Sequence, residues 1–168
     1  MRRKVGVGVS GESWAVYESP LGELTLVGGA GGLRRILFPG HARGLDEADR
    51  SEEALADALG QLDEYFAGER EGFELALDLR WNGFQLAVWE QLLEIPYGET
   101  VSYGEIAERI GQPGEARDVG SAVARTPVPI VVPCHRVVAS DGALTGYLGG
   151  LDRKQALLDL ESSQLRIL

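Results

Sequence analysis

The chain has 168 residues, 44% of them hydrophobic and 25% charged, with a formal net charge of −10. That length and balance suit one large domain or two small ones with a real core, and they exclude a disordered chain. One Cys excludes an internal disulfide and a Cys-rich zinc site, two His argue against a His-rich metal site, and the acidity argues against a generic DNA binder.

The basic start, Met1-Arg2-Arg3-Lys4, is followed by no apolar stretch of signal-peptide length, and no later run approaches membrane-spanning length. A soluble, cytoplasmic protein without membrane contact is expected. Trp14–Ser19 and Glu23–Val27 flank Pro20-Leu21-Gly22, which predicts a hairpin. A Gly-rich turn then leads to a third strand over Leu33–Phe38. Asp46–Glu53 reads as a solvated loop or helix start. Ala54, Leu55, Ala58, Leu59, Leu62, Tyr65 and Phe66 recur at helical spacing, and Gly68 is the stop. Phe73, Leu75, Leu77 and Leu79 alternate with Glu74, Ala76 and Asp78, which predicts a half-buried strand.

The second region starts near Trp81. Asn82 with Gln85 forms a capping box for a helix whose Phe84, Ala87, Val88, Gln91 and Leu92 share a face. Pro96 and Gly98 stop it. Ser102 with Glu105 is a second capping box, opening a short helix through Ile110. After Gly111, Pro113 and Gly114, a third helix over about Glu115–Arg125 completes a pair spaced like a helix-turn-helix. Ile130-Val131-Val132 reads as a buried strand. Val137–Ala139, Asp141-Gly142 and Ala143–Tyr147 read as a hairpin or wing. Gly149-Gly150 precedes a final helix, with Leu151, Gln155 and Leu158 along one side and Glu161 near its end.

Pro133-Cys134-His135-Arg136 is the candidate for chemistry, against the alternatives of a small buried apolar Cys134 and a hydrogen-bonded structural His135. A thiolate is the nucleophile, and a nearby His or cation raises its share. Neighbours in an extended segment point to opposite faces, so Cys134 and His135 need a bridging water or a twist to cooperate. His135 also needs an acceptor to orient it, and Glu161 is the candidate.

The blocks FQLAVWEQLLEIPYGETVSYGEIA (84–107), GEARDVGSAVARTPVPIVVPCHRVV (114–138) and DGALTGY followed by Leu148-Gly149-Gly150-Leu151 occur in order. On these blocks, Phe84–Glu161 resembles the catalytic domain of the O6-alkylguanine-DNA alkyltransferases, and the N-terminal half resembles the family's β-rich companion domain more loosely. The resemblance implies an α+β fold with two domains. Residues 1–80 form a ribonuclease H-like sheet with a helix, and residues 81–168 a mainly helical winged helix-turn-helix domain. It implies a monomer that acts on double-stranded DNA carrying O6-alkylguanine, with O4-alkylthymine as a further substrate. The damaged base is flipped out and its alkyl group passes irreversibly to Cys134, with no cofactor and no metal. His135, through a water, takes the thiol proton, and Glu161 orients it. Tyr103 donates to the guanine ring. Ser102, Tyr103, Ala116 and Arg117 meet DNA, with Arg117 filling the gap left by the flipped base. Pro129, Val137, Tyr147 and Leu148 line the pocket, and backbone groups at Cys134 and Val137 read the guanine edge.

Three residues depart from the family pattern: Thr126 stands for the usual Asn before Pro, Asp118 follows Arg117, and Leu148 replaces a small or polar residue. Activity is expected to survive, with DNA affinity or alkyl range altered. The alternative reading is a lesion-binding module that recruits other repair factors without transfer. Relatives of that type lack the Cys, so Cys134 discriminates. A Cys-His hydrolase finds no other supporting block.

Overall fold

The computed structural model describes residues 11–81 and 83–166. The chain divides into two compact units, Met1–Leu79 and Arg80–Leu168. Arg2, Arg3, Lys4 and the predicted cap Asn82 lie outside the described residues.

In the first unit, β1 (Glu12–Ser19), β2 (Gly22–Gly29) and β3 (Gly32–Leu37) form an antiparallel sheet in that order. The two-residue loop Pro20-Leu21 sets the register Ser19↔Gly22, and Ser19 Oγ holds it by donating to Gly22 O at 2.7 Å. Helix α1 (Ala56–Phe66) buries Ala58, Leu62 and Tyr65 of the predicted stripe, while Ala54 and Leu55 precede the helix and Ala54 is exposed. It ends at Gly68, which has φ 77°, with Glu69 N donating to Glu64 O and Gly68 N to Tyr65 O, the paired bonds of a Schellman cap.

The strand expected over Phe73–Leu79 does not form a ladder. The segment's backbone bridges β3 at Leu33, through Leu33 N to Ala76 O and Asp78 N to Leu33 O, both 2.9 Å, and the Asp78 carboxylate also accepts from Nε of Arg34 on β3 at 2.8 Å. This close approach dictates Gly32. Its φ is 127°, and a Cβ there would collide with the Ala76 carbonyl. Gly60, in mid-helix, has nothing within 4 Å of a built Cβ. Gly32→Ala is therefore expected to destabilise this unit by at least about 2 kcal/mol. Gly60→Ala should stabilise it by about 0.5–1 kcal/mol. Urea midpoints of the two variants check both signs.

In the second unit, α2 (Gly83–Leu93) packs against α4 (Ala116–Ala124). Its buried residues are Val88, Trp89 and Leu92. The predicted face missed Trp89, which is fully buried because its indole finds a partner, Nε1 donating to Ala122 O at 2.9 Å. Helix α3 (Tyr103–Arg109) is capped by Ser102, whose hydroxyl accepts from Glu105 N at 3.1 Å. A turn through Gly111 and Gly114 joins α3 to α4, giving the expected helix pair.

Two expected strands are replaced. Ile130–Val132 is a tight buried turn, with Ile130 at φ 76° and Val132 N donating to Val128 O at 2.9 Å. Pro127, Pro129 and Pro133 remove three backbone donors from this stretch, so no ladder can run through it. The wing hairpin reduces to β5 (Val137–Val138), which pairs in parallel with β4 (Val101–Ser102). The Asp141-Gly142 turn does form, with Ala139 N on Ala143 O at 3.0 Å, but no return strand follows. Helix α5 (Leu151–Arg166) closes the unit. It buries Lys154, Leu157 and Glu161 rather than the side expected, and Leu151 is exposed. Hydrophobic periodicity selected Leu151 and Leu158 because it does not count a Lys as a core residue.

Candidate active site

Cys134, His135 and Arg136 form one 3-10 turn between the proline-rich stretch and β5, and all three are buried. The turn sends neighbouring side chains in different directions without the alternation of a strand. His135 Nε2 lies 2.8 Å from Glu161 Oε2 on α5. An ionised carboxylate only accepts, so the imidazole proton sits on Nε2. That leaves the Nδ1 lone pair, which is buried with no hydrogen-bond partner among the described residues.

Glu161 is held from two sides. Arg136 donates Nε to Oε1 and Nη2 to Oε2, both at 2.8 Å, and sends Nη1 to Ile95 O at 2.7 Å. Burial by itself would raise the Glu161 carboxyl, but hydrogen bonds from His135 and Arg136 outweigh it and hold it well below the usual carboxylate range. Burial likewise lowers His135 from its ordinary value, helped by the charges of Arg136 and Lys154 and opposed by Glu161. The imidazole is thus neutral at physiological pH and able to accept a proton.

The Cys134 thiol is pushed up to about 11, by burial first. The nearby polar groups of Thr126 and Tyr147 and the charge of Lys154 pull the other way. Thr126, the residue standing in for Asn, is buried and commits its one hydroxyl proton to Val123 O at 2.7 Å, so towards the thiol its oxygen can act only as an acceptor.

The other expected residues divide. Tyr103, Ala116 and Arg117 line one open groove with Gly120, Thr145 and Gly146. Arg117 is exposed on the first turn of α4, beside the exposed Asp118. Ser102 does not line this groove, and its hydroxyl is engaged as the α3 cap. Pro129 and Val137 are buried, and Val137 N–H is bonded to Cys134 O. Tyr147 is half-buried and near enough to influence the thiol, whereas the next residue, Leu148, is 58% exposed.

Two further residues were missed from the sequence. Lys154 is fully buried, donates Nζ to Thr145 O at 2.8 Å and lies close enough to Cys134 for their charges to interact. Thr145 donates Oγ1 to Tyr103 OH at 3.1 Å. The signal for Lys154 was its spacing from Leu157 and Glu161, i, i+3 and i+7 on one helix face.

Comparison with known proteins places the chain in a family. The profile described as 6-O-methylguanine DNA methyltransferase, DNA binding domain, matches residues 83–163. The companion ribonuclease-like domain of the same family matches residues 13–79. The methylated-DNA–protein-cysteine methyltransferase of Mycobacterium tuberculosis H37Rv is 50% identical over 153 residues, 90% of this chain and 93% of that one. Its namesake from Methanosarcina acetivorans is 46% identical over 89% of this chain and 98% of that one. The crystal structure of Mycobacterium tuberculosis OGT in complex with DNA superposes with a TM-score of 0.84 at 48% identity, covering 90% of this chain and 94% of that chain. Two profile matches and relatives at half identity over nearly the whole length make the chain a member of the 6-O-methylguanine DNA methyltransferase family.

Proposed function

We propose that the protein repairs O6-alkylguanine in double-stranded DNA by moving the alkyl group irreversibly onto Cys134. The observation that carries this reading is a buried thiol whose chain neighbour is a buried imidazole, its Nε2 fixed by Glu161 and its Nδ1 without a hydrogen-bond partner among the described residues.

The chain of events follows from the groups present. The α3–α4 pair meets the duplex, with Tyr103, Ala116 and Arg117 on the groove that faces it, and Arg117 fills the place of the flipped base. The net charge of −10 leaves few phosphate contacts, so binding is modest and salt-sensitive. Cys134 Sγ attacks the alkyl carbon in line with the C–O6 bond. The S–C bond forms, the C–O6 bond breaks, and its electron pair returns to the guanine ring. The thiol proton passes through one water to His135 Nδ1. Lys154 lends positive charge beside the developing thiolate, and a Tyr103 hydrogen bond eases the departure of guanine. Pro129, Val137, Tyr147 and Leu148 shape the pocket, with exposed Leu148 offering apolar surface to longer alkyl groups.

The product is a thioether, which water does not cleave at neutral pH. The sequence holds no second Cys to receive the group, so each molecule works once. A thiol that must stay reduced suits the cytoplasm. No helix among the described residues is long and apolar enough to cross a membrane. One chain carries every group named, so a monomer suffices.

The test is intact-protein mass after mixing with an O6-methylguanine duplex. The expected result is one added methylene mass per molecule, mapped to Cys134. Unchanged mass with retained duplex binding would overturn transfer and leave a lesion-binding module.

A further inference from the structure

The proposed role of Tyr103 requires that its hydroxyl proton be free to point at guanine. In the structure that hydroxyl is engaged twice with a single residue. Thr145 Oγ1 donates to Tyr103 OH at 3.1 Å, and Tyr103 OH donates to Thr145 O at 3.3 Å. The same carbonyl accepts from Lys154 Nζ at 2.8 Å. Lys154 is fully buried, and its ammonium lies 6.0 Å from the centre of the Tyr103 ring.

The three distances are unequal in a useful way. An O–H···O bond of 3.3 Å is long and weak, so Tyr103 gives up little by turning away from Thr145 O. The carbonyl stays satisfied when it does, because the short, charged bond from Lys154 remains. Meanwhile the incoming Thr145 hydroxyl fills a lone pair on the phenol oxygen. That fixes the direction of the remaining O–H and polarises it as a donor. Thr145 is β-branched, so its own hydroxyl is confined to few rotamers.

We infer that Thr145 is a positioning residue: with Lys154 holding its carbonyl, it keeps the Tyr103 hydroxyl aimed and its proton available to the departing guanine. The residue acts through Tyr103 and touches no reacting atom. This inference rests on the alkyl transfer proposed above.

The experiment is single-turnover transfer from an O6-methylguanine duplex at rising duplex concentration. It compares the unsubstituted protein with Thr145→Val, Thr145→Ser, Tyr103→Phe and the Tyr103→Phe/Thr145→Val double variant. Thr145→Val should lower the maximal rate about tenfold, the worth of one hydrogen bond, without moving the half-saturating duplex concentration. Thr145→Ser should restore the rate, which a merely structural loss of the methyl-bearing side chain would not allow. In the Tyr103→Phe background, Thr145→Val should add nothing. Full activity of Thr145→Val, or losses that multiply in the double variant, would overturn the inference while leaving the transfer reading intact. Full activity of Tyr103→Phe would overturn it as well. No transfer by the unsubstituted protein would sink the function itself.

Discussion

Cys134→Ser is expected to fold, to bind an O6-methylguanine duplex and never to gain mass from it. The serine hydroxyl is close in size to the thiol and can donate to the Thr126 oxygen beside it, so the buried site tolerates the exchange. It is a far weaker acid and a poorer nucleophile than the thiol, and no other Cys is present to act instead. The pH dependence of the unsubstituted protein tests the same pair of groups more finely. Burial lifts the thiol to about 11 and drops the imidazole below its ordinary value. Between those two limits the pair holds one proton, on sulfur, and transfer moves it to His135 without exchange with solvent. The rate should therefore be flat through neutral and mildly alkaline pH. It should fall tenfold per unit once acid protonates His135, because an imidazolium cannot accept. A rate that instead climbs tenfold per unit through neutral pH would mean that free thiolate reacts and His135 is not the acceptor. Single-turnover rates across that range, read beside a His135→Ala variant, decide it.

What the sequence made legible was local. Pro20-Leu21-Gly22 specifies its hairpin within three residues, and α1 shows its stripe within one helix. The nucleophile and base are adjacent, so their block could be read directly. The unreadable parts depended on partners far along the chain. Ile130–Val132 is as apolar as a core strand, yet the flanking prolines leave too few donors for a ladder and Ile130 turns to φ 76° instead. That turn leads into the 3-10 turn of Cys134 and His135, which replaces the strand alternation expected there. Lys154 looks like a solvated helix residue until the carbonyl of Thr145, in the loop before α5, is placed over its ammonium. Glu161 was legible as an acceptor for His135, because an imidazole beside a thiol calls for an orienting acceptor, whereas nothing about a lone Arg136 names the partner of its bidentate bond.

That bidentate bond makes Glu161→Gln the most damaging single change expected outside Cys134. The carboxylate is 1% exposed and accepts from His135 and twice from Arg136, with Gly98 N at 3.4 Å. A neutral amide leaves the Arg136 guanidinium buried without a counter-charge, at a cost of about 3–5 kcal/mol to the second unit. The sign with pH follows from the depressed carboxyl. Its contribution is complete above the unfolded value of about 4.3 and drains away as pH falls toward the folded one. Acid should thus erode the unsubstituted protein and leave Glu161→Gln comparatively unmoved, which denaturation midpoints at several pH values will show. Should Glu161→Gln fail to fold, the double variant Glu161→Leu/Arg136→Met separates the two duties of this carboxylate. Replacing both buried charges with apolar groups removes the uncompensated ion, and most of the stability should return. Transfer should stay slow, because His135 Nε2–H has lost its acceptor and Nδ1 is no longer held as the free lone pair. Fast transfer by that double variant would mean that Glu161 serves the fold alone, and that the tautomer of His135 is fixed by something else.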